Sequence, residues 1–131
     1  MSERNRVYIY YDAETDYLEV VSQKGEIVAH DAGNGIFKLK TRRGKLLGYA
    51  VMEVSERLGE LTFIDPLVKF SIQVKVARLK RGLTQEKMAK RMGIGLLPYQ
   101  RIESGGNNPT LKTILKVKEV LPEISLDKIA S

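Results

Sequence analysis

The chain has 131 residues, a formal net charge of +6 and no cysteine, which bounds it to one domain or two small ones and excludes disulfide frameworks and thiolate chemistry. It shows no charged-then-apolar leader and no apolar run near ~18 residues, so neither export nor a membrane span is expected and a cytoplasmic protein is. The charge is uneven, since residues 1–66 hold 9 Lys and Arg against 11 Asp and Glu whereas residues 67–131 hold 13 against 5; the second half is where a polyanionic partner would be met.

From Val7 the chain alternates, with Val7, Ile9 and Tyr11 pointing one way and Tyr8 and Tyr10 the other. After Asp12-Ala13-Glu14-Thr15-Asp16 it resumes with Leu18 and Val20 on one face, a hairpin pattern rich in β-branched and aromatic residues. Lys24-Gly25 and Gly33-Asn34-Gly35 punctuate the next stretch; a strand is expected over Ile36 to Lys40, turning at Arg42-Arg43-Gly44-Lys45 into another near Leu47 to Val54. An antiparallel meander of four or five strands is the expected result. On Tyr11-Asp12, Glu14, Asp16, Leu18 and Val20, then Gly44, Leu47-Gly48, Val51 and Ser55, this half resembles a family of small prokaryotic β-rich domains of unknown function. It departs from that family where Ala50 replaces an acidic residue, and the resemblance implies a fold but almost no chemistry.

Asp12, Glu14 and Asp16 are spaced like the start of a calcium loop, but such a loop needs glycine sixth and a bidentate acid twelfth, where Tyr17 and Gln23 stand. A solvated turn is expected instead, with side chains bonding nearby backbone N–H groups. His30 is the single histidine, too few for a zinc cluster or a histidine-based triad, and a surface or strand-edge position is expected for it. No metal, no cofactor and no enzymatic activity are expected. Gly59 to Pro66 reads as a packed connector or short strand, giving units of 1–66 and 67–131.

The first helix is expected from about Leu67 to Lys80, with Pro66 at or before its first turn. Phe70, Val74 and Ala77 make one apolar stripe; Ile72, Val76 and Leu79 make another about 200° round the helix. The second stripe needs a cover, either the sheet or a partner subunit, and is the expected interface. Thr84 is an N-cap candidate; Met88, Ala89 and Met92 form an apolar stripe; Gly93 supplies a left-handed turn; and a further helix runs from about Leu96 to Glu103, burying Tyr99 and Ile102. A fourth helix is expected after Thr110 with Leu111, Ile114, Leu115 and Leu121 as core, ended by Pro122, and Ser125 is expected to cap a fifth, short one holding Leu126 and Ile129.

Arg81-Gly82-Leu83-Thr84-Gln85-Glu86, Ala89-Lys90-Arg91-Met92-Gly93-Ile94, Arg101-Ile102-Glu103-Ser104-Gly105 and Asn108-Pro109-Thr110-Leu111 resemble, in order and at its spacing, the phage-repressor (Cro-like, XRE-type) helix-turn-helix family. The resemblance implies an Arg78–Glu103 ion pair between first and third helices. It implies base reading at Gln85, Leu96, Leu97, Gln100 and Arg101, with Thr84, Asn107, Asn108 and Lys112 holding phosphates. Family members usually carry polar residues where Leu96 and Leu97 stand, and leucine can contact only a thymine methyl. A competing reading makes Leu96 and Leu97 a protein contact. The expected fold is α+β, an N-terminal antiparallel β-meander followed by a five-helix repressor-like domain. The expected function is sequence-selective binding of double-stranded DNA by a homodimer that regulates transcription. The alternative is an antitoxin whose sheet binds a toxin while the helices autoregulate the operon.

Overall fold

A computed structural model describes residues 7–23, 25–105 and 108–127. The chain divides into two compact units, Met1–Arg57 and Leu58–Ser131.

The first unit is a five-stranded antiparallel sheet: β1 (Tyr8–Asp12), β2 (Tyr17–Val21), β3 (Val28–Asp31), β4 (Ile36–Lys40) and β5 (Leu46–Val51), in spatial order β1-β2-β5-β4-β3. The register sets Tyr11 opposite Leu18, and Leu18 and Ile36 either side of Val51. Side chains alternate between faces, so Tyr11, Leu18, Val20 and Val51 share one face, and all four are buried. On the other face Val21, Leu39 and Ala50 are buried beneath Tyr8, Tyr17 and Phe37. Strand β3 has no apolar alternation and is exposed along its length, which is why periodicity does not single it out; His30 lies on it.

The acidic stretch after β1 has two roles. Asp12 closes the turn, accepting from the Glu14 N–H at 3.0 Å and the Thr15 hydroxyl at 2.9 Å. Asp16 reaches across the unit instead. Its carboxylate accepts from the Tyr11 hydroxyl at 2.5 Å and from the Ser55 hydroxyl and N–H at 2.8 and 3.2 Å, and its carbonyl accepts from the Val54 N–H at 3.0 Å. Burial, then the bond to Asp16, push the Tyr11 hydroxyl up to about 12, so it stays a donor. Asp16 thus pins the β1–β2 turn to the chain leaving β5. No group of His, Cys, Asp or Glu among the described residues could hold a metal ion.

The second unit contains α1 (Pro66–Lys80), α2 (Gln85–Met92), α3 (Leu96–Glu103) and α4 (Leu111–Val120). It is a four-helix bundle rather than the five-helix domain expected: four α-helices form among the described residues, and Ile129, expected in the fifth, lies outside them. The segment after α4 is held by hydrogen bonds to side chains. Gln73 of α1 donates to the Ser125 carbonyl at 3.0 Å and accepts from the Ser125 N–H at 2.9 Å, and Lys118 donates to the Ile124 carbonyl at 2.6 Å. No helix among the described residues is long and apolar enough to cross a membrane.

Helix α1 starts at Asp65, whose carboxylate accepts from the Leu67 N–H at 2.8 Å, with Pro66 in the first position, where a missing N–H costs nothing. Phe70 and Val74 enter a core with Met88, Tyr99, Val117 and Leu121. The second stripe is covered too: Ile72 and Val76 are 0% and 4% exposed, and Leu79 is half-buried. Helix α4 corrects the expectation for its core. Leu111 and Leu115 are 68% and 53% exposed, while Val117, Leu121 and Ile124 are buried and Ile114 is half-buried. Both sets fit a helical period, and only packing into the core formed with the other helices chooses between them.

Candidate nucleic-acid interface

Helices α2 and α3 pack on each other and are joined by Gly93, Ile94 and Gly95. Thr84 caps α2, its side chain accepting from the Lys87 N–H at 3.1 Å. Gly93 ends it at φ 72°, a left-handed conformation that costs glycine little, and the Ile94 N–H returns to the Ala89 carbonyl at 3.0 Å. Ile94 then packs against the core. Gly95 precedes α3 with extended backbone and no side-chain cap, leaving the first turn of α3 open.

A buried polar network locks α3 to α1. Arg78 and Glu103, with side chains 7% and 3% exposed, pair in bidentate fashion at 2.6 and 3.1 Å. The remaining capacity is filled: Arg78 donates to the Leu83 carbonyl at 2.7 Å, and Tyr99 donates its hydroxyl to Glu103. Burial alone would lower the Arg78 guanidinium, but the bonds and charge of Glu103 outweigh it and the net shift is upward. Burial and the adjacent Glu103 carboxylate push the Tyr99 hydroxyl far above its ordinary range, so it remains a donor. At the end of α3, the buried Ser71 hydroxyl donates to the Ile102 carbonyl at 2.6 Å and accepts from the Gly105 N–H at 3.1 Å. No buried side-chain N or O atom among the described residues lacks a partner, as a polar network in a low-dielectric core requires.

The outer face of α3 presents Leu96, Leu97, Gln100 and Arg101, all exposed and spaced i, i+1, i+4, i+5. The opposite face buries Tyr99, Ile102 and Glu103. Lys87, Lys90 and Arg91 of α2 are exposed, as are Asn108 and Lys112 at the start of α4. Asn107 lies outside the described residues. Gln85 is bonded within the unit. It is half-buried, donates to Glu103 at 3.1 Å and accepts from Gln100 at 3.2 Å. The side-chain roles of Tyr99 and Ser71 are not legible from spacing, because both act on groups brought near only by folding.

Residues 74–129 match the family model described as helix-turn-helix. The C-terminal unit belongs to the helix-turn-helix family. The chain is 35% identical over 60 residues to the cryptic phage CTXphi transcriptional repressor RstR of Vibrio cholerae serotype O1, covering 44% of this chain and 53% of that protein. It is 36% identical over 58 residues to the uncharacterized HTH-type transcriptional regulator YqaE of Bacillus subtilis, covering 44% of this chain and 49% of that one. The chain thus spans about half the length of the curated relatives it matches. No solved structure matches it. In this helix-turn-helix unit the Arg78–Glu103 pair joins α1 and α3 directly, which fixes α3 before any partner arrives.

Proposed function

We propose that the helix-turn-helix unit binds duplex DNA as a homodimer and regulates transcription, with α3 entering the major groove. The observation that carries this is the outer face of α3, where Gln100 and Arg101 stand exposed side by side on a helix anchored by a buried ion pair. Arginine matches the two acceptors of guanine and glutamine the donor–acceptor pair of adenine, whereas Leu96 and Leu97 add only contact with thymine methyls. Thr84, Asn107, Asn108 and Lys112 would hold phosphates and set the register. Two such helices about 34 Å apart would occupy successive grooves of a two-fold site and occlude polymerase. One relative is named a transcriptional repressor, which supports repression as the outcome. The sheet unit would then serve dimerisation or a protein partner.

The test is selection of bound duplexes from a random pool by the full chain, followed by Arg101→Ala. The substitution should cost about 1–3 kcal/mol at one preferred guanine and relax preference there. An unchanged Arg101→Ala, together with loss of self-association in Leu96→Ala, would make α3 a protein contact instead.

A further inference from the structure

We propose that the basic end of the sheet unit is a second phosphate-binding surface, which grips the DNA backbone outside the stretch held by the helix-turn-helix unit; this rests on the functional proposal above. The register gathers the turns of the sheet at two ends. One end holds the β1–β2 turn, the end of β3 and the chain leaving β5, and carries Asp12, Glu14, Asp16, Asp31, Glu53 and Glu56. The other holds the β2–β3 loop and the β4–β5 turn, and carries Lys40, Arg42, Arg43 and Lys45 against Glu26 among the described residues.

The two ends use their charges differently. Asp12 and Asp16 accept hydrogen bonds inside the unit, and Glu53 lies 3.7 Å from Arg57. At the basic end the side chains of Arg43 and Lys45 bond no described residue, and Arg42 meets only Glu26 at 3.2 Å. That pair is 78% and 75% exposed, so it offsets little of the local charge. The turn keeps the three cations together. The Thr41 N–H donates to the Lys45 carbonyl at 2.9 Å, the Gly44 N–H to the Thr41 carbonyl at 2.9 Å, and the Lys45 N–H to the Thr41 hydroxyl at 3.1 Å. Beside it lies a depression of about 430 Å³ lined by Gln23, Thr41 and all three cations. Repulsion among them, unrelieved inside the chain, is relieved by a ridge of phosphodiesters, which arginine, lysine, threonine and glutamine side chains all hold. The helix-turn-helix unit has its own exposed cations, among them Lys87, Lys90, Arg91 and Lys112, for the phosphates around α3. Those of the sheet unit therefore take further ones, and because no base edge is touched they add affinity without changing the preferred sequence.

The experiment compares two duplexes, the selected site alone and the same site lengthened by about 10 base pairs, one helical turn, on each side. The unaltered full chain should bind the longer duplex roughly tenfold more tightly and with a steeper salt dependence. Replacing Arg42, Arg43 and Lys45 together by glutamine should abolish that gain, shallow the log–log slope by about 0.9 for each phosphate given up, and leave base preference and binding to the short duplex unchanged. Glu26→Gln, which frees Arg42, should enlarge the gain. A triple variant that keeps the full gain and slope, with its fold verified by thermal melt, would overturn this proposal alone. So would equal losses on both duplexes, which mark a field effect rather than a contact. Loss of capture by phosphatidylserine vesicles with DNA binding unmoved would overturn it in favour of lipid headgroups. If the unaltered chain binds neither duplex, the functional proposal falls and this one with it.

Discussion

Arg78→Met should lower the unfolding free energy by about 3–5 kcal/mol, the cost of leaving one half of a buried ion pair without its partner. Glu103 would keep the Tyr99 hydroxyl and the Gln85 amide but lose both guanidinium bonds, at a position 4% exposed. The Leu83 carbonyl would lose a donor as well. A loss of that size is comparable with the whole stability of a small domain, typically about 5 kcal/mol at the low end, so the substituted unit should be largely unfolded at 37 °C. Removing the charge from both sides is a different experiment. Arg78→Met with Glu103→Leu leaves no uncompensated charge and should recover part of the loss, the remainder falling on the buried Tyr99 hydroxyl, which loses its acceptor. Urea denaturation of the single and double variants checks this, and strictly additive losses would contradict it.

Gly48→Ala should be nearly as damaging, for a reason of space rather than charge. A Cβ placed on Gly48 would lie 1.8 Å from the Val20 carbonyl oxygen and 2.8 Å from the Val21 Cα. Those atoms are backbone of β2, which pairs with β5 in the register Val21 opposite Gly48, so no side chain can swing aside. The strands must part, at a cost near the upper end of overpacking, about 3 kcal/mol. Loss of the β2–β5 pair would sever the sheet, because that pair is what joins β1–β2 to β3–β4–β5. Denaturation of the full chain reads the loss, and a Gly48→Ala chain as stable as the original would disprove the close approach.

Both effects bear on what can be read before folding. Thr84, Gly93 and the stripe of Met88, Ala89 and Met92 announce α2 and its turn because caps and glycine act locally. The hairpin of β1 and β2 announces itself by alternation. Helix α4 does not disclose its buried face: Leu111 and Leu115 look like core by spacing, yet they face solvent. The edge strand β3 carries no alternating signal. At the candidate interface, the exposed residues of α3 are legible from helical spacing once the helix is placed. The hydrogen bonds from Gln85 to Glu103 and from Gln100 to Gln85 are not, for they join residues 18 and 15 positions apart. Asp16 and Ser55, 39 positions apart, are not legible as a bonded pair.

The central claim is that the basic helix-turn-helix unit grips the DNA backbone while α3 reads its bases. Titration of the full chain against its selected duplex across a series of salt concentrations tests this most directly. A protein that neutralises Z phosphates loses affinity with a log–log slope of about −0.9Z. The slope should be steep, with several phosphates per dimer, and Lys112→Ala should make it shallower while weakening all duplexes evenly. A flat salt response, or no binding to any duplex at low salt, would contradict the claim.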